Sequence, residues 1–133
     1  MSQGPFWIEA STARTVHRMQ LAMFGGLDGI RDDGMLESAI ARPVNLWLYE
    51  QATLFRLAAS YAYGITMNHP FIDGNKRTAF VVSVLFLERN GLRFVAPEVD
   101  AATMFLSLAA GELGERELSE WFEQWCGNVY AHD

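Results

Sequence analysis

His69-Pro70-Phe71-Ile72-Asp73-Gly74-Asn75-Lys76-Arg77 runs straight into Thr78-Ala79-Phe80-Val81-Val82-Ser83-Val84-Leu85-Phe86-Leu87. The second segment is apolar almost all round, which predicts a helix buried on most faces at the centre of a small bundle. Its start falls near Asn75, so a histidine, a carboxylate, a glycine, an amide and two cations gather at a helix N-terminus. Unpaired N–H groups of the first turn and the positive end of the helix dipole form an anion site there. Gly74 lets that backbone approach a ligand. Lys76 and Arg77 add the full charges that phosphoryl oxygens require, a point charge and a planar fork. Asp73 is a hard oxygen ligand suited to Mg²⁺. His69 is the one group here whose ordinary pKa allows work as a general base or phosphate acceptor near neutrality.

Taken singly, these residues are ordinary: a lysine and an arginine at a helix start often form a solvated turn, and His-Pro a structural corner. Their conjunction is the informative feature, because base, metal ligand and anion site converge in one short loop. The chain has neither a Walker loop nor a protein-kinase glycine loop. Phosphoryl or nucleotidyl transfer by these groups therefore uses another scaffold.

Upstream, Thr53 to Met67 predicts a helix with Leu54, Leu57, Ala58, Tyr61 and Ile65 as its buried stripe. Before it, Asp33 reads as the N-cap of a short helix, Met35 to Arg42, closed by Pro43, with Asn45-Leu46-Trp47-Leu48-Tyr49 as an aromatic loop. Glycines at 25, 26, 29 and 34 mark a pliable segment, read as a plain connector or as a flap over the site. Arg31 within it is either a nucleotide or substrate contact or a solvated charge. The first helix runs from about Ser11 to Phe24 with Val16, Met19 and Met23 as its core stripe. His17, off that stripe, reads as a surface or satisfied histidine. Phe6-Trp7-Ile8 is a short apolar entry. Residues 1–5 read as a flexible start and 129–133 as a tail, leaving 6–128 as one domain.

Downstream, Asn90-Gly91 stops the central helix, and Leu92-Arg93-Phe94-Val95 is an extended connector. Pro97 at a first helical position opens a fifth helix to Ala110, with Val99, Ala102, Leu106 and Ala109 as its inner face. Glu115 to Cys126 predicts a sixth, docked through Leu118, Trp121, Phe122 and Trp125 and stopped by Gly127. The expected fold class is all-α, a single compact bundle of about six helices around the central apolar helix.

Composition agrees. A chain of 133 residues, 50% apolar with nine Phe and four Trp, can bury a real core. A net charge of −6 weighs against sequence-independent nucleic-acid binding and leaves Lys76 and Arg77 as a local positive point on a negative surface. The single cysteine, Cys126, has no internal disulfide partner and reads as a packed thiol. No apolar run reaches the roughly 20 residues that a membrane span needs. A cytoplasmic protein without membrane association is expected.

At residues 69–77 the sequence resembles the signature of the Fic/Doc (Fido) superfamily, in particular its Doc, or death-on-curing, toxin branch. The resemblance continues through Gly25 to Pro43 and through Phe86-Leu87-Glu88-Arg89-Asn90-Gly91. It implies the Fido fold for the bundle. Carried over residue by residue, it makes His69 the catalytic base or phosphate relay and Asp73 the Mg²⁺ ligand. Gly74 and Asn75 become the anion cradle, Lys76 and Arg77 the phosphate clamps, and Phe71 the buried anchor of the loop.

The adenylylating Fic pattern has a glycine where this chain has Lys76 and a second arginine where it has Phe80, whereas the Doc branch carries the lysine. The resemblance therefore implies ATP as the substrate nucleotide, with its γ-phosphate passed to a threonine of elongation factor Tu and translation blocked. It also implies restraint by a separate antitoxin of the Phd type, whose disordered tail folds into an open groove as an amphipathic helix. One alternative is Fic-type transfer of AMP or UMP to a protein hydroxyl, against which Lys76 and Phe80 stand. Another is a catalytically silent binding module, against which the intact His69, Asp73 and Arg77 stand. Ser119 to Glu123 approaches the self-inhibitory pattern of Fic proteins, but Gln124 breaks it.

Overall fold

A computed structural model describes residues 4–128. Within them the chain forms α1 (Ala10–Phe24), α2 (Asp33–Glu50), α3 (Leu54–Asn68), α4 (Asn75–Arg89), β1 (Leu92–Phe94), α5 (Glu98–Ala109), α6 (Glu115–Trp125) and β2 (Cys126–Asn128). The predicted tail, residues 129–133, and the first three residues lie outside the described part.

The expected all-α bundle is what forms, with α4 sharing its centre with α3. Helix α3 packs against α2, α4 and α6, and α4 against α1, α3 and α5. Thr53 caps α3, its hydroxyl accepting from the Arg56 N–H at 3.2 Å. Leu57, Tyr61 and Ile65 are fully buried. Gly64 lets α2 come close, since a Cβ there would lie 3.2 Å from the Cα of Ala39. The Tyr61 hydroxyl ties down the N-terminal entry by accepting from the Ile8 N–H at 2.9 Å, and burial pushes this phenol up to about 12.

Helix α2 departs from expectation: it runs 18 residues straight through Pro43, so neither the predicted stop nor the aromatic loop occurs. The proline removes one N–H and crowds the Ala39 carbonyl. It is nevertheless buried, as is Ala39. One residue earlier Arg42 bonds Ser60 Oγ at 3.0 Å and pairs with Glu115, and beyond it Leu46 and Trp47 pack on the core. Contacts on both sides of the proline outweigh the lost backbone bond. The N-cap is Asp32, one residue before the predicted Asp33, and it accepts from the Met35 N–H at 3.0 Å.

Two helices present a different face inward from the one that hydropathy selects. In α1 the buried residues are Ala13, Val16, His17 and Gln20, while Met19 and Met23 are exposed. The helix is turned so that His17 reaches a backbone oxygen of the signature loop. In α5 the inner face is Ala101, Phe105 and Leu108, and the predicted Val99, Ala102, Leu106 and Ala109 point outward. This helix is apolar on both sides. The larger area of Phe105 decides, its ring meeting that of Phe80 edge-on at 5.4 Å.

The predicted connector after α4 is strand β1, antiparallel to β2 with Leu92 opposite Asn128 and Phe94 opposite Cys126. Cys126 therefore ends outside α6. Burial pushes its thiol up to about 11, which keeps it protonated and inert. Among the described residues no helix is long and apolar enough to cross a membrane.

Candidate active site

The site forms where α3 hands over to α4. Helix α3 ends at Asn68, and His69 caps it in the left-handed region, φ 52° and ψ 53°, with its N–H on the Ile65 carbonyl at 3.2 Å. Phe71, fully buried, anchors the turn that follows. Its ring lies flat on the imidazole of His17, 3.8 Å between centroids and 6° between planes. His17 itself is buried, with Nε2 2.8 Å from the Asp73 carbonyl oxygen. A carbonyl only accepts, so His17 carries a hydrogen on Nε2.

Asn75, the first residue of α4, turns its side chain into the loop rather than toward solvent. Its Oδ1 accepts from the Phe71 N–H at 3.0 Å, and its Nδ2 donates to the Phe71 carbonyl at 2.9 Å. These two bonds settle which way the amide faces. The remaining hydrogen of Nδ2 therefore points at His69 Nδ1, 3.0 Å away. Nδ1 must accept, and neutral His69 in this arrangement holds its hydrogen on Nε2.

Gly74 is the N-cap of α4, left-handed at φ 79°, and no side chain caps the first turn. Its own N–H is engaged by Asp73 Oδ1 at 2.9 Å. Asp73 Oδ2 accepts from the Leu27 N–H at 3.2 Å. These two backbone bonds, aided by the charges of Arg77 and Lys76, hold the Asp73 carboxyl below the ordinary 3.8. The N–H groups left for an anion are those of Asn75, Lys76 and Arg77 rather than that of Gly74.

The glycine-bearing segment lies along this loop as a flap. The Ile72 N–H bonds the Gly29 carbonyl at 3.0 Å, and Ile30 bridges antiparallel to Phe71. Gly26 allows the closest approach: at φ 125°, a Cβ there would stand 2.9 Å from Asp73 Oδ2. Arg31 is exposed, as a solvated charge would be, but it is not free: Nε donates to the His69 carbonyl at 2.6 Å and Nη2 to the Asn68 carbonyl at 2.7 Å.

Lys76 and Arg77 turn to a groove of about 620 Å³ between α1, α4 and α5, walled by Met23, Phe24, Phe80 and Leu106. Lys76 is exposed. Arg77 donates from Nη2 to the Gly25 carbonyl at 3.1 Å, lies over the Phe24 ring at 5.2 Å, and has a buried Nε with no partner. The predicted site residues thus divide: His69, Asp73, Gly74 and Asn75 knit the loop, and the two cations face the groove. Sequence reasoning missed His17 as a support. Its signal was spacing, since Ala13, His17 and Gln20 share one helix face.

The Fic/DOC family model matches residues 7–87, a span that holds the flap, the loop and most of α4. The chain belongs to the Fic/Doc family. It is 34% identical over 116 residues to protein kinase doc of Escherichia phage P1, covering 86% of this chain and 90% of that protein. It is 37% identical over 89 residues to toxin Doc of Mycolicibacterium smegmatis, covering 59% of this chain and 63% of that one. In this Fic/Doc chain the metal implied by the family has a fitting ligand. Asp73 is exposed and held in its ionised form, and each oxygen spends only one lone pair on an N–H. Mg²⁺ asks for one or two carboxylates, with phosphate oxygens and water completing the octahedron.

Proposed function

We propose that this chain is a Doc-type toxin that transfers the γ-phosphoryl group of ATP to a threonine hydroxyl of a protein target, elongation factor Tu, and so blocks translation. The observation that carries the reading is the first turn of α4. Lys76 stands exposed beside Arg77 at an uncapped helix start, and one turn on Phe80 packs edge-on against Phe94 and Phe105. A lysine in place of glycine and a phenylalanine in place of a second arginine disfavour the diphosphate pose of nucleotidyl transfer. The two relatives, one named a kinase and the other a toxin, support the same choice.

In the step, the threonine oxygen bonds to the γ-phosphorus while the bond from that phosphorus to the bridging oxygen breaks, and ADP leaves with the electron pair. The threonine proton passes to His69. It is taken by the ring nitrogen of neutral His69 that carries no hydrogen. The transition state is loose and charge-rich, so Lys76, Arg77 and the free N–H groups of α4 do most of the stabilising. Asp73 would hold Mg²⁺, which when bound neutralises phosphate charge. An antitoxin of the Phd type would lay an amphipathic helix along the groove, where Met23, Phe24 and Leu106 are exposed.

The test is label transfer from ATP carrying label at the α or the γ phosphate, with Mg²⁺, elongation factor Tu, and His69→Ala as control. Label from the γ position alone, lost in the variant, is expected. Label from the α position would move the chain to the nucleotidyl-transferring members, and label from neither would sink this target and donor.

A further inference from the structure

The flap also reaches back into the chemistry. We propose that Arg31 is a positioning residue, which holds His69 in its left-handed backbone conformation and so aims the imidazole. A helix leaves its last carbonyls without intrahelical partners, and at the end of α3 one residue collects three in succession. Arg31 donates from Nη2 to the Asn68 carbonyl at 2.7 Å, from Nε to the His69 carbonyl at 2.6 Å, and from its own N–H to the Pro70 carbonyl at 2.7 Å.

His69 needs such a hold. Its φ of 52° is a conformation that side-chain-bearing residues avoid, and at the described positions only Gln51 and His69 adopt it without being glycine. The imidazole is restrained by the Asn75 amide, while Arg31 restrains the backbone. A planar fork spans two adjacent carbonyls, which a lysine ammonium does not reproduce. Arg31 belongs to the flap, and so any shift of the flap is transmitted to the backbone of the base.

The kinetic arm of the test rests on His69 being the base, and a spectroscopic arm does not. Full-length protein with ¹⁵N-labelled histidine is compared as wild type, Arg31→Met and Arg31→Lys, with His69 assigned through His69→Gln. In wild type, Nδ1 of His69 should read as unprotonated and Nε2 as protonated. In Arg31→Met both nitrogens should move toward the average of exchanging tautomers, while His17 keeps its signals. The kcat for label transfer should fall about tenfold or more with KM for ATP within about twofold, and Arg31→Lys should lie between.

His69 nitrogen signals in Arg31→Met identical to wild type would overturn the proposal, whatever the activity. An inactive wild type would count against the transferase reading alone and leave the nitrogen signals to decide on Arg31. Loss of the His17 signals would mark unfolding of Arg31→Met, and Arg31→Lys would then carry the same comparison.

Discussion

The side chain of Asn75 meets His69 at 3.0 Å with one hydrogen of its amide while holding both polar groups of the Phe71 backbone. One buried residue thus closes the loop and sets the tautomer of His69. Asn75→Ala would leave the Phe71 N–H and carbonyl buried without partners, at a cost of about 2 kcal/mol and several degrees of Tm. Thermal unfolding checks this; an unchanged midpoint would show that the loop closes without the clip.

Asp73 makes stability depend on acid. Its carboxyl lies below the ordinary 3.8 in the folded chain, because the Leu27 and Gly74 N–H groups favour the charged form. That contribution is complete above the unfolded value and is lost as pH falls through the lower folded one. Urea unfolding of wild type and Asp73→Asn should differ by a constant amount from about pH 7 to about pH 5, and the difference should shrink below about pH 4. A difference that grows toward acid would contradict the pairing.

Gly26 and Gly111 both have positive φ, 125° and 77°, but a Cβ at 111 meets nothing within 4 Å, whereas one at 26 meets Asp73 Oδ2 and Leu21 Cδ2 at 2.9 Å each. Gly111→Ala should cost about 1 kcal/mol from backbone strain alone. Gly26→Ala should cost clearly more, in the range of about 2–3 kcal/mol, since the flap must also lift from Asp73. Equal losses in denaturant titrations would rule out the close flap contact.

Lys76 is exposed and has no ion pair among the described residues. Lys76→Ala should therefore leave stability within about 0.5 kcal/mol, yet lower the proposed phosphoryl transfer about 100-fold by removing a charge that this reaction would use at the developing phosphate. Full activity in the variant would remove Lys76 from the clamp.

Much of this architecture is written in local pattern. The start of α4 at Asn75, the course of α3 and the all-helical class follow from a polar cluster meeting an apolar run and from helical periodicity, whereas the burial of Phe71 is implied by the family resemblance. Such signals lie within a few residues of one another, and neighbouring positions suffice to read them.

The choices that shape the site are of another kind. His17 faces inward because its partner is a carbonyl 56 residues away, Arg31 is committed to an oxygen 38 residues away, and α2 survives Pro43 because Arg42 finds Glu115 across 73 residues. By itself the sequence determined which residue types would meet at the helix start and that a bundle would carry them. Tertiary packing alone decided which faces of α1 and α5 turn inward, that β1 pairs with β2, and which hydrogen His69 holds. Periodicity records only that a face is apolar. The partner across it is set by distant segments, whose hydrogen bonds must be satisfied together when the chain closes.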